Sequence, residues 1–399
     1  MCHRCGPFEG FSSADLSYLF IFNYILFISN IIAFRRIFGP GDDASSHERE
    51  VCGRSVSVDW SESDRVFMEH ALLVAERGRG KVSPNPLVGC VLVKDGVVIA
   101  EGWHDHLGGL HAEQMAIHDA EEKGHSPNGA TAYVTLEPCN HFGRTPPCTE
   151  ALMWAGVTEV IIAHHDPNPT VRGDGCRVLE HAGIPTRVGL METEAHEQMR
   201  AFMHWCQHRR PLVTVKLALD ANGSVDDRSA APQRFTSRGC LEKVHELRRD
   251  CDAVLVGVET VNRDDPQLTV RLVPAPRQPL RVVIDPQQRI NSNAAMLHDG
   301  DEVLLMQESF TGLPSLLHQL ADRDIQRVLV EGGPTTVHRF LEAGLVDEVY
   351  LVHSDALHVT PVASGIDANV LTGAGLSKRE EHVWGEERVE HFVRDIIEA

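Results

Sequence analysis

From about Asp59 onward, short β-branched runs alternate with stretches of helical periodicity, and that rhythm leaves little choice of fold. Strands and helices repeated at this pitch pack as a sheet covered by helices on both faces. Ser63 and Asp64 are placed to cap a first helix, whose apolar positions Phe67, Ala71, Val74 and Ala75 run up to the glycines at 78 and 80. VGCVLV and VVIAEG, joined by Lys-Asp-Gly at 94–96, predict a hairpin. A helix over 112–123, a strand over 131–136, a helix over 147–155 ending before Gly156, a buried strand EVIIAHH and a helix closing at Gly183 follow. A domain junction is predicted between Trp205 and Pro211, where LVTVKLAL opens a new alternation. Beyond it the pattern predicts a helix near 240–249, strands AVLVG, RVVID, EVLLM and RVLVEGG, and a helix reaching Gly344. Residues 59–205 and 211–399 are thus expected as two α/β domains of ordinary size, with 1–58 outside both.

The segment before Asp59 differs in kind. LSYLFIFNYILFISNIIAF, at 16–34, is almost continuously apolar and precedes Arg35-Arg36 and a polar run. It is long enough to span a bilayer, but Asn23, Asn30 and two serines interrupt it, and a cleaved targeting segment suits the remaining chain better. Ala33-Phe34 followed by arginines resembles the cleavage region of two-part plastid presequences, so a plastid destination is expected, with the cytoplasm as the default. An anchor, or an incorrectly predicted gene start, are the alternatives. No stable membrane association of the mature chain is expected.

Charge narrows the ligands. With 37 Lys+Arg against 57 Asp+Glu the net charge is −20, which repels a polyanion, and no basic run offsets it. Any nucleotide bound is therefore expected to be small. The 10 cysteines are too dilute for a disulfide scaffold, and only Cys139 and Cys148 have a suggestive spacing.

His111-Ala112-Glu113 lies just before a helical stretch, Glu137-Pro138-Cys139 ends a strand, and Cys148 follows Pro146-Pro147 at a helix start. One imidazole and two thiolates suit zinc, and three protein ligands leave a fourth position for water. Zinc lowers the pKa of that water, and Glu113, beside the ligand but not one itself, is placed to carry the proton. Free N–H groups at the two helix starts favour negative charge at the site.

The H-x-E…P-C…C grouping is that of zinc nucleobase deaminases. The gap of eight residues between the cysteines (NHFGRTPP), Asn85-Pro86-x-Val88-Gly89 and Asp166-Pro167-Asn168-Pro169 make residues 64–203 resemble the deaminase half of the bifunctional riboflavin-biosynthesis deaminase/reductase family. The resemblance implies a cytidine-deaminase-like three-layer domain. It also implies pocket roles for Asn85, His104, His141 and Arg144, with Arg144 suited to a ribose phosphate.

Residues 211–355 resemble the reductase half of the same family, which implies a dihydrofolate-reductase-like α/β fold and NADPH as cofactor. The matching runs are Gly257–Arg271 and Val328–Pro334, the latter a strand entering a helix through glycines. Ala218, Thr260, Asp264 and the stretch opening at Gly333 fall on cofactor positions. Arg248, Leu268, Arg271 and Glu331 fall on substrate positions, with the arginines suited to phosphate. The implied reaction sequence is hydrolytic deamination of 2,5-diamino-6-(5-phosphoribosylamino)pyrimidin-4-one, with attack at the C2 amino carbon, followed by reduction of the ribosyl group to ribityl. A homo-oligomer formed through the C-terminal domain is also expected.

Three departures from the family pattern stand out. Asp220-Ala221-Asn222-Gly223 replaces Ser-Leu-Asp-Gly, Pro232-Gln233-Arg234-Phe235-Thr236 replaces a Ser-x-Trp-Ile-Thr run, and HSDALHVTPVASG replaces a proline-and-glycine segment after Val352. All are expected in the reductase pocket, with Arg234 available to the adenosine 2′-phosphate of NADPH. They leave open a second reading, in which only the deaminase acts and the second domain binds or dimerises. A deaminase acting on RNA would require a basic face and a short cysteine gap, and this sequence has neither.

Overall fold

The computed structural model describes residues 59–141, 146–168, 173–227, 229, 234–307 and 310–394. The apolar segment at 16–34, Arg144, Pro232 and Gln233 lie outside the described residues. The first helix, α1 (Glu62–Ala75), is capped by Ser61 rather than Ser63. The Ser61 hydroxyl accepts from the Asp64 N–H, and the Asp64 carboxylate accepts from the Ser61 N–H. This reciprocal box satisfies two donors at once, whereas Ser63 is already inside the helix.

Strands β1 (Gly89–Lys94) and β2 (Val97–Trp103) form the expected hairpin. Asp95 and Gly96 both have positive φ, as a tight two-residue turn demands. Then follow α2 (Ala112–Glu122), β3 (Thr131–Leu136), α3 (Cys148–Ala155), β4 (Glu159–His164), α4 (Asp174–His181), β5 (Thr186–Val188), α5 (Glu192–Gln198) and α6 (Arg200–His208). The five strands are ordered β2-β1-β3-β4-β5, antiparallel at the hairpin end and parallel from β3 to β5. Successive residues of β1 feed opposite cores: Val91 and Val93 pack with α1, and Cys90 and Leu92 pack with α2. This is the two-faced, three-layer arrangement that the alternation implies. Trp205 and Cys206 still belong to α6, so the expected junction narrows to residues 209–211.

The second sheet is built from β6 (Leu212–Leu219), β8 (Ala253–Gly257), β9 (Leu280–Ile284), β10 (Val303–Met306), β11 (Arg327–Val330), β12 (Glu348–His353), β14 (Leu376–Trp384) and β15 (Glu387–Arg394). A separate pair, β7 (Ser224–Asp227) and β13 (Pro361–Ala363), stands apart from it. The helices are α7 (Arg238–Asp250), α8 (Val258–Asp264), α9 (Leu313–Ala321), α10 (Pro334–Glu342) and α11 (Ala368–Gly373). Strand order is β10-β9-β8-β11-β6-β12-β15-β14, parallel up to β12 and antiparallel beyond. Because β11 inserts between β8 and β6, the winding reverses there, and the carboxyl ends of these strands open a crevice.

The departures at Asp220 and Asn222 do not line that crevice among the described residues, contrary to expectation. The buried Asp220 carboxylate instead accepts from the N–H groups of Asn222, Ser224 and His358. The Ala221 N–H donates to the Ala356 carbonyl. Two of the replaced segments therefore pack on each other, and the new carboxylate supplies acceptors that the backbone of both needs.

Residues from Asp59 onward form one compact unit. The two halves are joined by polar contacts: Arg379 of β14 pairs with Glu197 of α5 (2.6 Å), and Gln326 Nε2 donates to the Pro84 carbonyl (2.6 Å).

Candidate active sites

His111 precedes α2 and Cys148 opens α3, while Cys139 follows β3. Two glycines allow the close packing this needs. A Cβ on Gly102 of β2 would lie 2.1 Å from the Ala112 carbonyl oxygen, and one on Gly175 of α4 would lie 2.1 Å from that of Pro138. Gln114 ties the ligand segments together, its Oε1 accepting from the His111 N–H (3.3 Å) and its Nε2 donating to the Pro146 carbonyl (2.8 Å).

His111 Nδ1 stands 3.5 Å from Cys139 Sγ and 3.3 Å from Cys148 Sγ. A tetrahedral zinc with bonds of about 2.0 Å to nitrogen and 2.3 Å to sulfur separates such atoms by about 3.5 Å, so the donor set fits the ion. The Cys148 N–H at the start of α3 also donates to Cys139 Sγ (3.4 Å). The thiols share a hydrogen bond that brings Cys139 down to about 4 and, with burial, pushes Cys148 well up. A cation among the three would favour both thiolates.

Glu113 is buried (3% exposed), and its carboxyl is raised by burial and by the charge of Cys139. A carboxyl so placed can hold a proton and release it to a neighbour. His104, also buried, donates from Nδ1 to the Leu110 carbonyl (2.9 Å), which leaves Nε2 to accept from Asn85 Nδ2 (3.0 Å). The Asn85 carbonyl is then oriented by a fixed imidazole. Asn85, His104, His141 and Glu113 line one cavity of about 510 Å³ with the His111 and Cys139 ligands. Phe202, Trp205 and Asp324 also line it, and the sequence placed none of them in the site. Asp324 comes from the second half of the chain, and no local pattern could have signalled that.

Behind the site, Glu137 is almost fully buried. Burial alone would raise its carboxyl, but hydrogen bonds from His165 and from the Gly173 and Cys176 N–H groups bring it down to about 2. The strand end bearing Cys139 is thereby pinned to the segment before α4.

The crevice of the second sheet is a cavity of about 1310 Å³. All eight residues that the resemblance assigns there line it: Ala218, Thr260, Asp264 and Gly333, and Arg248, Leu268, Arg271 and Glu331. Gly332 has no room for a side chain, since a Cβ would lie 2.8 Å from Thr336, and the Gly333 N–H donates to Thr260 Oγ1 (3.2 Å). The backbone so held leads into the N-terminus of α10, a cradle suited to the phosphates of NADPH.

Leu268 has φ +55°, a conformation unfavourable for a leucine, while its side chain is anchored in the core. Arg248 is committed: its Nη2 lies 3.1 Å from Glu331 Oε2, its Nε donates to Oε1, and its Nη1 reaches the Thr269 carbonyl (3.2 Å). Burial disfavours the Glu331 charge, but Arg248 holds the carboxyl below the usual range, with help from Lys216. Arg271 is exposed, and its guanidinium lies in the positive field of Arg248 and Arg234. Arg234 thus stands at the substrate-arginine end of the cavity, and sequence alone did not suggest that position.

Both halves match known families. Residues 61–164 match the cytidine and deoxycytidylate deaminase zinc-binding region, and residues 211–383 match the RibD C-terminal domain. The chain is 39% identical over 310 residues to riboflavin biosynthesis protein RibD of Aquifex aeolicus, covering 72% of this chain and 86% of that one. Against RibD of Escherichia coli the identity is 38% over 348 residues, covering 79% and 92%. The crystal structure of a diaminohydroxyphosphoribosylaminopyrimidine deaminase/5-amino-6-(5-phosphoribosylamino)uracil reductase from Thermotoga maritima superposes with a TM-score of 0.76 at 35% identity, covering 84% of this chain and 99% of that one. RibD of Acinetobacter baumannii gives 0.77 at 32% identity over the same shares. With both domains matched in order over most of its length, this chain belongs to the RibD family of riboflavin biosynthesis proteins.

Proposed function

We propose that the chain carries out two consecutive steps of riboflavin biosynthesis: deamination of 2,5-diamino-6-(5-phosphoribosylamino)pyrimidin-4-one in the first cavity, then reduction of the resulting phosphoribosylaminouracil in the second. The carrying observation is that one compact unit holds both a His-Cys-Cys set beside buried Glu113 and a glycine-lined crevice with a buried arginine–carboxylate pair.

In the first site His111, Cys139 and Cys148 would hold zinc, which when bound would supply an activated water for attack on the pyrimidine C2. Glu113 takes a proton at its carboxylate from the attacking water and delivers it to the departing amino nitrogen. Asn85, its amide fixed by His104, orients the pyrimidine edge, and Asp324 closes the cavity from the second domain. His141 lies at the exposed side, where a ribose phosphate would emerge, and Arg144 is assigned to that phosphate.

In the second site NADPH supplies the hydride. Thr260 positions the Gly333 backbone for the cofactor phosphates, with Ala218 and Asp264 along the same wall. Arg271 and Arg234 bind the substrate phosphate, Leu268 shapes its seat, and Arg248 holds Glu331 towards the ribose. Arg234 therefore serves the substrate rather than the adenosine 2′-phosphate. Because Asp220 and Asn222 lie outside the crevice, the departures there do not argue for a silent second domain.

The chain forms a homo-oligomer through its C-terminal domain, where β14 ends the sheet with an edge unpaired among the described residues, and sedimentation tests this. Residues 1–58 act as a plastid leader, which N-terminal sequencing of the mature protein from its cells tests. Deuteride transfer from labelled NADPH into the ribityl product tests the reductive step, and absence of label would refute it.

A further inference from the structure

The far end of the second sheet carries a cluster remote in sequence from both catalytic motifs. Glu380 of β14 and His391 of β15 are direct cross-strand partners, and His382 lies two residues along β14 on the same face. His391 Nδ1 and His382 Nε2 stand 3.2 and 3.3 Å from one Glu380 oxygen, and the three donor atoms lie within 4.8 Å of one another. The register shift between Lys378 and Glu380 is a bulge, a device that re-aims side chains at a sheet edge.

The His391 ring is fixed from behind. Its Nε2 lies 2.9 Å from the buried Glu348 carboxylate, and the ring stacks on Tyr350 with centroids 4.4 Å apart and planes at 2°. Arg327 Nη2 donates to the other oxygen of that carboxylate (2.5 Å), which fixes Glu348 in place. The Glu348 carboxylate accepts from Nε2 of His391, which leaves Nδ1 of the same ring facing Glu380. A proton or a metal ion between Nδ1 and the Glu380 oxygen satisfies both atoms at 3.2 Å. A histidine whose second nitrogen donates to a buried carboxylate is the arrangement that supports metal-bound imidazoles.

We propose that Glu380, His382 and His391 form a second metal site, specific for a divalent transition ion such as Zn²⁺ and separate from the cysteine-containing site. Two ring nitrogens and one carboxylate oxygen form a donor set typical of zinc. Bonds of about 2.0–2.1 Å place tetrahedral ligand atoms about 3.3 Å apart, which the two separations to Glu380 match. Glu380 and His382 are 53% and 34% exposed, so the remaining position opens to solvent and to a small anionic ligand.

The test is equilibrium dialysis of the full chain against micromolar Zn²⁺, followed by elemental analysis and the ammonia-release assay. The site predicts about two zinc ions per chain for the wild type and about one for His382→Ala, for Glu380→Gln and for Cys148→Ser, with ammonia release lost only in the last. In Cys148→Ser, Co²⁺ at the remaining site should give d–d bands without thiolate charge transfer, and adding His382→Ala should weaken that binding at least tenfold. One zinc in the wild type, or two in His382→Ala, overturns the proposal and shows a proton on His391 in place of the ion. Neither result bears on the deaminase reading, which the ammonia assay follows separately.

Discussion

Arg248 and Arg271 line the same cavity, yet the structure separates their roles, and Arg248→Met shows the difference. Both members of the Arg248–Glu331 pair are 9% exposed, so methionine would leave a buried carboxylate without its partner. Glu331 can escape by taking up a proton. From a usual value of 4.5, neutralisation at pH 7 costs at most about 3.4 kcal/mol, from about 1.36 kcal/mol per pH unit. Lys216 still attracts the charge, so a loss of about 2–3 kcal/mol is expected. The sign with pH follows: in the variant the folded-state pKa of Glu331 rises above its unfolded value, so the penalty is full well above 4.5 and shrinks as pH falls towards it. Urea unfolding at pH 7 and pH 5 should show a deficit that narrows on acidification, by at most about 1.4 kcal/mol per unit. Arg271→Met, exposed and without a bidentate partner, should change stability by less than about 0.5 kcal/mol while raising the KM of the reductive step. An Arg248→Met variant as stable as the wild type at pH 7, or a deficit independent of pH, would refute this account of Glu331.

Glu113→Gln should slow ammonia release by about 10²–10⁴-fold while leaving reduction of the deaminated substrate unchanged, as separate assays of the two steps would show. Chelation of zinc should abolish ammonia release reversibly and leave NADPH oxidation on that same substrate intact. Asp324→Ala should raise the KM for deamination without altering reductive turnover, because this residue of the second domain lines the first cavity. Asp220→Ala should destabilise the protein by about 1–3 kcal/mol in urea titration, since several N–H groups lose an acceptor.

The parts legible from sequence were those set by local chemistry. Strand β3 spans the expected Thr131–Leu136, α3 ends before Gly156 with that glycine left-handed, and the His111, Cys139 and Cys148 donors converge. Periodicity, turn residues and ligand spacing are properties of short segments and survive folding unchanged. What escaped depends on contacts across long separations. Arg248 looks from its helix like a candidate phosphate ligand, and only Glu331, 83 residues later, shows that its guanidinium is occupied. Asp220 looks like a lost serine in a pocket until the His358 N–H, 138 residues on, explains the carboxylate. The cap at Ser61 was missed for a smaller reason: consecutive Ser and Asp residues offer several registers, and only backbone geometry selects one.

The central claim is that one chain performs two ordered reactions in two cavities. It is tested most directly by supplying residues 59–399, loaded with zinc, with the diaminopyrimidine phosphate and following ammonia and NADPH together. The account predicts that ammonia appears without NADPH, that NADPH is consumed only after ammonia is released, and that the two reach equal amounts. Consumption of NADPH by the substrate without release of ammonia, or release of ammonia with NADPH untouched at completion, would contradict it.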